Sequence, residues 1–159
     1  TAVVRRLAPN RRMIVAAPAY LERHGEPQEP GDLLRHNCLL LRFPGSQQYR
    51  WTLQGPDGPI TLRVSGNMDA NSGEVLRDWC LAGHGLALKS LWEIVDDLNA
   101  GRLRVVLPAW PPPGHAIVAL FPQRGFLPSR VRVFVDYLAK LYGRKPSWER
   151  ALKVRLPGP

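Results

Sequence analysis

The residues most suited to chemistry lie at two predicted helix N-termini that each follow an apolar, strand-like run. Residues 71–73 follow the run at 60–64, and residues 18–20 follow the run at 13–17. The first turn of a helix has free N–H groups and a positive dipole end, which favour an anion or a polar ligand. Because strand ends and helix starts share one edge of an open α/β sheet, the pattern predicts a binding site there.

Each of these residues also has a purely structural interpretation. Asn71 or Ser72 can cap a helix by accepting a bond from an early backbone N–H. Gly73 would let a ligand approach the backbone closely, because it has no Cβ. Tyr20 can stack on or hydrogen-bond a ligand, but an aromatic side chain is more often part of a core.

The sequence contains few of the residue patterns that are typical of catalytic sites. No serine lies in a GxSxG motif, and the four histidines lie in unrelated loops or element ends. The Asp96-Asp97 doublet is predicted to lie on a solvated helix face, and Gly83-x-Gly85 lacks the other residues of a phosphate loop. Cys38 and Cys80 are isolated in apolar segments, which indicates buried thiols in a reducing compartment. We therefore predict no enzyme activity, no metal site and no cofactor.

The bulk composition fits one ordinary domain or two small lobes. The chain has 159 residues and a net charge of +9, with the basic residues scattered rather than in a block. Scattered arginines of this kind are typical of a solvated surface. The chain contains no apolar run long enough to span a membrane and no export signal, so we expect a cytoplasmic protein without a membrane partner.

The order of strands and helices predicts an α/β fold. Two strands at 50–54 and 60–64 flank a Gly-Pro-Asp-Gly-Pro turn, and a helix is predicted from about residue 72 to 82. Residues 115–121 are predicted to form a buried strand, and the longest helix is predicted from Pro128 to about residue 142. Three consecutive prolines, Pro111 to Pro113, mark a hinge, and the basic tail from Arg144 is expected to be frayed.

Several segments, taken in order, resemble the effector-binding region of LysR-type transcriptional regulators. They are RRMIVAAPAYLERHG, the later VSGNMDANSGEVLRDWCLAGHGLAL, then GRLRVVLPAW, HAIVALFP and LPSRVRVFVDYL. The resemblance implies a two-lobed fold like that of type 2 periplasmic-binding proteins, with an effector held between the lobes. It also implies that the chain begins inside this domain, so that the second lobe is complete and the first lobe is partial.

The resemblance divides the chain into four parts. Residues 1–7 would be the end of the first lobe and the hinge, and 8–113 the second lobe. Residues 114–143 would return to the first lobe, and 144–159 would be a basic C-terminal tail. The return strand and the last helix would then leave their apolar faces partly uncovered.

The ligand-binding positions that the resemblance implies come from three segments. They are Ala17, Pro18, Ala19, Tyr20, Met68, Asn71, Ser72, Gly73 and Phe121. Ala17 stands where many relatives have a serine, which removes one hydroxyl from the expected contacts.

The function implied is that of a ligand-sensing domain of a bacterial transcription regulator. A small organic effector, favoured to be an anion by the basic chain, would bind between the lobes. It would control DNA binding by an upstream winged helix-turn-helix domain, in a homodimer or homotetramer. The alternatives are a solute-binding protein for transport on the same scaffold, an enzyme, and direct DNA binding by this basic chain.

Overall fold

The computed structural model describes residues 2–47, 49–122 and 127–156. In chain order the strands are β1 (Ala2–Ala8), β2 (Arg12–Ala16), β3 (Cys38–Leu41), β4 (Arg50–Gly55), β5 (Gly58–Arg63), β6 (Asp69–Ala70), β7 (Leu86–Ser90), β8 (Arg104–Val106) and β9 (Ile117–Pro122). The α-helices are α1 (Pro18–His24), α2 (Gly73–Leu81), α3 (Leu91–Asn99), α4 (Ser129–Tyr142) and α5 (Ser147–Ala151), and a 3-10 helix covers Pro30–Arg35. The mixture of strands and helices confirms the predicted α/β class.

Five strands form the main sheet, in the order β6-β3-β7-β2-β8. Strands β6, β3 and β7 are parallel, whereas β2 is antiparallel to both of its neighbours, β7 and β8. Arg12 at the start of β2 therefore pairs with Ser90 at the end of β7. We call this end of the main sheet the Arg12 edge; the chain leaves β2 and enters α1 at the opposite edge.

Both faces of the main sheet are covered, as the continuous apolar runs predict. Along β2 the side chains alternate: Met13 and Val15 belong to a core shared with α2 and α3, and Ile14 and Ala16 belong to a second core. Complete burial of a side chain such as Ile14 stabilises the fold by about 2–3 kcal/mol. The main sheet is therefore a rigid platform for whatever lies at its edges.

The predicted hairpin is present as β4 and β5, in full antiparallel register. Gly58 has a φ of 118°, which a residue with a side chain rarely adopts, so the turn requires glycine there. The hairpin is a separate sheet that packs Trp51 and Leu53 into the second core. A short strand, β6, comes between the hairpin and α2, so β5 does not lead directly into α2 as predicted.

Strands β1 and β9 form a separate antiparallel ribbon, against which α4 packs. The prediction of a fully buried strand at 115–121 is wrong, because Leu120 is 65% exposed and alternate side chains of β9 face outward. In α4 only Val135 is buried, whereas Phe134 is 59% exposed and Leu141 is 55% exposed. The expectation of partly uncovered apolar faces in this region is therefore confirmed.

The basic tail is not frayed over the residues that the structure describes. Trp148 of α5 is buried against the rings of Trp92 and Tyr142, and the Arg11 guanidinium bonds both carboxylate oxygens of Glu149. These contacts fix the tail to α3 and to the start of β2. The prediction for residues 157–159 lies outside the described part of the chain. Among the described helices, none is long and apolar enough to cross a membrane.

Candidate functional site

Two helices begin at the Arg12 edge, where β3, β6 and β7 end. Helix α2 follows β6 after two residues, and α3 follows β7 directly. The Ser72 side chain caps α2 by accepting a bond from the Val75 N–H at 3.4 Å. Helices α2 and α3 therefore begin at the same edge of the main sheet, as expected for helices that follow parallel strands.

The predicted segment from Met68 to Gly73 lies at this edge. Met68 is half-buried against the first core, and its carbonyl oxygen accepts a bond from the Leu40 N–H at 3.3 Å. Asn71 is exposed, and Ser72 is half-buried with its hydroxyl used as a cap. Of these residues, Asn71 has its side chain at the surface and available to a ligand.

An internal ion pair occupies the space beside Gly73. A Cβ on Gly73 would lie 3.2 Å from both Glu93 Oε1 and Lys89 Nζ. The Lys89 ammonium group is 4% exposed, donates to the Gly73 carbonyl oxygen at 2.7 Å and pairs with Glu93 at 2.8 Å. The Lys89 and Glu93 side chains therefore lie close to the Gly73 backbone, in the place where the sequence predicted a ligand.

The segment from Ala17 to Tyr20 lies at the opposite edge of the main sheet. The expectation that both predicted helix starts share one edge is wrong, because β2 runs antiparallel to β7. Tyr20 is 2% exposed; its hydroxyl bonds His36 Nδ1 at 2.8 Å and accepts the Asn37 N–H at 3.2 Å. Burial raises the pKa of Tyr20 and lowers that of His36. Tyr20 therefore has the packing role that its residue type favours, rather than the ligand contact that the resemblance implies.

The remaining predicted residues also lie away from the Arg12 edge. Ala17 is buried, Pro18 is half-buried and Ala19 is exposed at the start of α1. Phe121 is half-buried in β9, opposite Val3 of the ribbon. The structure therefore does not bring Ala17–Tyr20, Met68–Gly73 and Phe121 together around one space.

A crevice of about 450 Å³ lies at the Arg12 edge, between the main sheet, the hairpin and the segment that leads to β9. Its apolar walls include Leu41, Trp51 and Leu88, and its polar lining includes Arg12, Arg50 and His115. None of the described residues that line it is acidic. Such a space, apolar with a few cationic groups, suits a small organic anion.

Arg12 differs from the other arginines near the main sheet. It is half-buried, and no hydrogen bond or ion pair joins its guanidinium to any residue in the described ranges. Burial lowers the pKa of Arg12, and the charge of Glu93 opposes that shift. The Glu93 carboxylate itself is occupied by Lys89 and by the Ser90 N–H, 2.9 Å away. The guanidinium is thus partly removed from water without a direct partner.

The structure corrects the prediction for the Asp96-Asp97 doublet. Asp96 is exposed as predicted, but Asp97 is 1% exposed. Its carboxylate bonds Arg77 at 2.8 and 3.1 Å and Arg102 at 3.0 Å. Asp97 therefore joins α2 to α3 and to the segment before β8.

Both cysteines are buried free thiols, as predicted. Burial raises the pKa of Cys38 and of Cys80 to about 12, which disfavours the reactive thiolate. Among the described residues, no group of three histidine, cysteine or carboxylate side chains is placed to hold a metal ion.

Arg12, Arg50 and His115 are polar site residues that sequence reasoning missed. The signal for Arg12 was a basic pair directly before an apolar strand, which was assigned to the solvated surface. His115 follows the proline run and reaches the same crevice because its backbone N–H donates to the Asn10 carbonyl oxygen at 3.1 Å.

Known proteins are similar to this chain over most of its length. Residues 2–142 match the family model of the LysR substrate binding domain. The chain is 31% identical to the HTH-type transcriptional regulator DmlR of Escherichia coli K12 over 88% of its own length and 45% of that protein's. It is 33% identical to the HTH-type transcriptional activator TtdR of the same strain, covering 84% of this chain and 43% of TtdR. It therefore spans a little under half the length of these relatives.

Solved structures of LysR-type regulators are similar to this chain as well. The regulatory domain of CrgA from Neisseria meningitidis superposes with a TM-score of 0.75 at 31% identity, covering 89% of this chain and 69% of that one. The regulatory domain of AphB from Vibrio vulnificus gives 0.74 at 28% identity, covering 87% and 68%. The fold is the two-lobed, type 2 periplasmic-binding-protein-like fold. The chain belongs to the LysR substrate binding domain family, the effector-binding domain of LysR-type transcriptional regulators.

Proposed function

We propose that this domain senses a small organic anion in the crevice at the Arg12 edge and thereby controls DNA binding. The observation that carries the proposal is the crevice itself, which is lined by Arg12, Arg50 and His115 and has apolar walls. The regulatory role of the family supports the same function. We propose no catalytic role for the domain.

The proposed transmission is a change in the angle between two lobes. Residues 8–113 would form the second lobe, and residues 1–7 with 114–143 would form part of the first. Two backbone bonds flank the proline run: Gln54 N–H donates to the Pro111 carbonyl oxygen at 2.8 Å, and His115 N–H donates to Asn10. A ligand that contacts both sides of this junction would favour one pre-existing lobe angle over another.

DNA is the proposed second partner, through an upstream winged helix-turn-helix domain. DmlR and TtdR are both named HTH-type regulators of transcription and are about twice as long as this chain. These relatives support regulation and do not support the alternative of a transport protein. Effector binding would thus change how the DNA-binding domains are spaced.

We also propose that the protein acts as a homodimer or homotetramer. The exposed apolar side chains of the ribbon and α4, such as Leu120 and Phe134, support association, because large exposed apolar patches commonly mark interaction sites. Sedimentation velocity at several concentrations tests this proposal. A single species at the mass of one chain at all concentrations would contradict it.

A pair of matched substitutions tests the sensing function in the organism that carries the protein. Gln47→Trp places a large ring at the crevice, and Gln28→Trp makes the same change at an exposed glutamine outside the crevice and away from the proline run. Transcripts that respond to deletion of the gene should shift in the Gln47→Trp strain and stay as in wild type in the Gln28→Trp strain. Wild-type transcript levels in both strains would contradict the proposal.

A further inference from the structure

The Arg12 guanidinium is a cation whose partner is not supplied by the described chain. The neighbouring Arg11 bonds both oxygens of Glu149, at 2.7 and 3.0 Å, and Arg77 bonds both oxygens of Asp97. Arg12 is half-buried at the same edge, yet it makes no such contact within the described residues. Partial removal of a charge from water is costly unless a counter-ion takes the place of the water.

Resting on the proposed function, we infer that Arg12 binds the carboxylate of the ligand in a two-pronged contact, and that the rest of the ligand is apolar. The planar guanidinium offers parallel N–H donors that match the two oxygens of a carboxylate. Leu41, Trp51 and Leu88 form the walls that the remainder of the ligand would touch.

The local charges leave room for one ligand anion. Lys89 and Glu93 neutralise each other through their 2.8 Å pair, which leaves Arg12 and Arg50 without an acidic partner in the crevice lining. The Glu93 charge lies close enough to affect Arg12 but is bonded to other groups. A ligand carboxylate would therefore enter a region of net positive charge.

The size of the space restricts the ligand to a small carboxylic acid. A volume of about 450 Å³ lies in the lower part of the range of small-molecule pockets. Inorganic phosphate and sulfate would satisfy the guanidinium but would leave the apolar walls in contact with water. The inference therefore commits to an organic carboxylate rather than to a free inorganic anion.

Thermal unfolding and titration calorimetry on the intact protein test this inference with matched probes. The probes are butyrate and benzoate, their neutral amides butyramide and benzamide, and inorganic phosphate. At least one carboxylate should raise the unfolding temperature, and its amide and phosphate should not. Arg12→Gln should weaken carboxylate binding by about ten- to a hundredfold, the usual loss for a hydrogen bond to a charged group.

Two further variants separate binding from folding. Arg12→Lys keeps the charge but loses the two-pronged geometry, so it should retain part of the affinity. Arg35→Gln removes an arginine that is 74% exposed and lies outside the crevice, and it should bind as wild type does. Unfolding temperatures of the free variants show whether each is folded.

The outcomes distinguish this inference from the proposed function. If a carboxylate and its amide bind equally and Arg12→Gln binds both, the anchor is wrong while the crevice stays a ligand site. Binding of phosphate alone would also overturn the carboxylate assignment. Absence of a shift with every carboxylate overturns this inference, and the transcripts of the Gln47→Trp strain still decide the sensing function.

Discussion

Two groups of charges around the main sheet differ in how completely they are paired. Around Asp97, one buried carboxylate is bonded by Arg77 and by Arg102, each at 2.8–3.1 Å. At the Arg12 edge, a half-buried guanidinium has no bonded partner within the described residues. The first arrangement is complete without a ligand, and the second would be completed by the anion that we propose. Pairing therefore separates charges that hold the fold from charges that are available for binding.

Removal of the Asp97 carboxylate should have the largest effect on stability. Asp97→Asn removes the counter-ion that Arg77 and Arg102 share and leaves Arg77 with only the exposed Asp78, 3.8 Å away. We therefore expect the free energy of unfolding to fall by about 3 kcal/mol. Urea unfolding followed by tryptophan fluorescence measures the change. Asp96→Asn alters the exposed neighbour on the same helix and should change stability by less than about 0.5 kcal/mol. Equal losses in the two variants would mean that the Asp97 cluster does not hold α2 to α3.

Removal of the Glu93 charge should have the second-largest effect on stability, because Glu93 pairs with buried Lys89 and caps the start of α3. Glu93→Gln keeps an oxygen for the Ser90 N–H but removes the charge that faces buried Lys89, so we expect a loss of about 2 kcal/mol. The same urea experiment applies, with Glu74→Gln, an exposed carboxylate in the first turn of α2, as the control. If Glu93→Gln is as stable as Glu74→Gln, the pair does not fix the start of α2.

Acidification should have a smaller effect, through the opposite edge of the main sheet. Burial, with nearby His24, lowers the pKa of His36, whose Nδ1 faces the Tyr20 hydroxyl. Because the native state binds this proton less readily than the unfolded state, stability is full above about pH 6.5 and falls below it. Urea midpoints between about pH 7.5 and about pH 5.5 measure the slope. His36→Gln should reduce the dependence of the urea midpoint on pH, and His84→Gln should leave it unchanged. Equal slopes in the two variants would show that His36 is not the titrating group.

Arg12 itself should contribute almost nothing to stability. Arg12→Met keeps a long apolar side chain and removes a partly desolvated charge that has no bonded partner, so the free energy of unfolding should stay within about 0.5 kcal/mol of wild type, with any change towards higher stability. The prediction is checked in the same urea series as Asp97→Asn. A loss as large as that of Asp97→Asn would show that Arg12 is a structural charge.

Much of the fold followed from the sequence. The glycine at position 25, the hairpin turn and the helical spacing of α2 and α3 are local signals, and each marks the element that the structure contains. The family also followed from the order of several short motifs. The tail was not predicted, since α5 depends on the distant contacts of Trp148 with Trp92 and Tyr142 rather than on local pattern.

The site was harder to predict because it depends on strand direction. An apolar run at residues 13–17 has the same pattern in either direction, so the sequence did not show that β2 opposes β7. Because β2 runs opposite to β7, its first residue, Arg12, lies beside the end of β7, and Tyr20, which follows β2, lies at the other end of the sheet. Burial of Asp97 was equally hidden, because its partners Arg77 and Arg102 are separated from it along the chain and meet it only in the fold.

The most direct test of Arg12 as the ligand anchor is a crystal structure of the protein with the carboxylate that stabilises it most. We expect both oxygens of that carboxylate to lie within hydrogen-bonding distance of the Arg12 guanidinium, with the remaining atoms against Leu41 and Leu88. A carboxylate bound elsewhere, for example at Asn71, with the Arg12 guanidinium still lacking a partner, would contradict it.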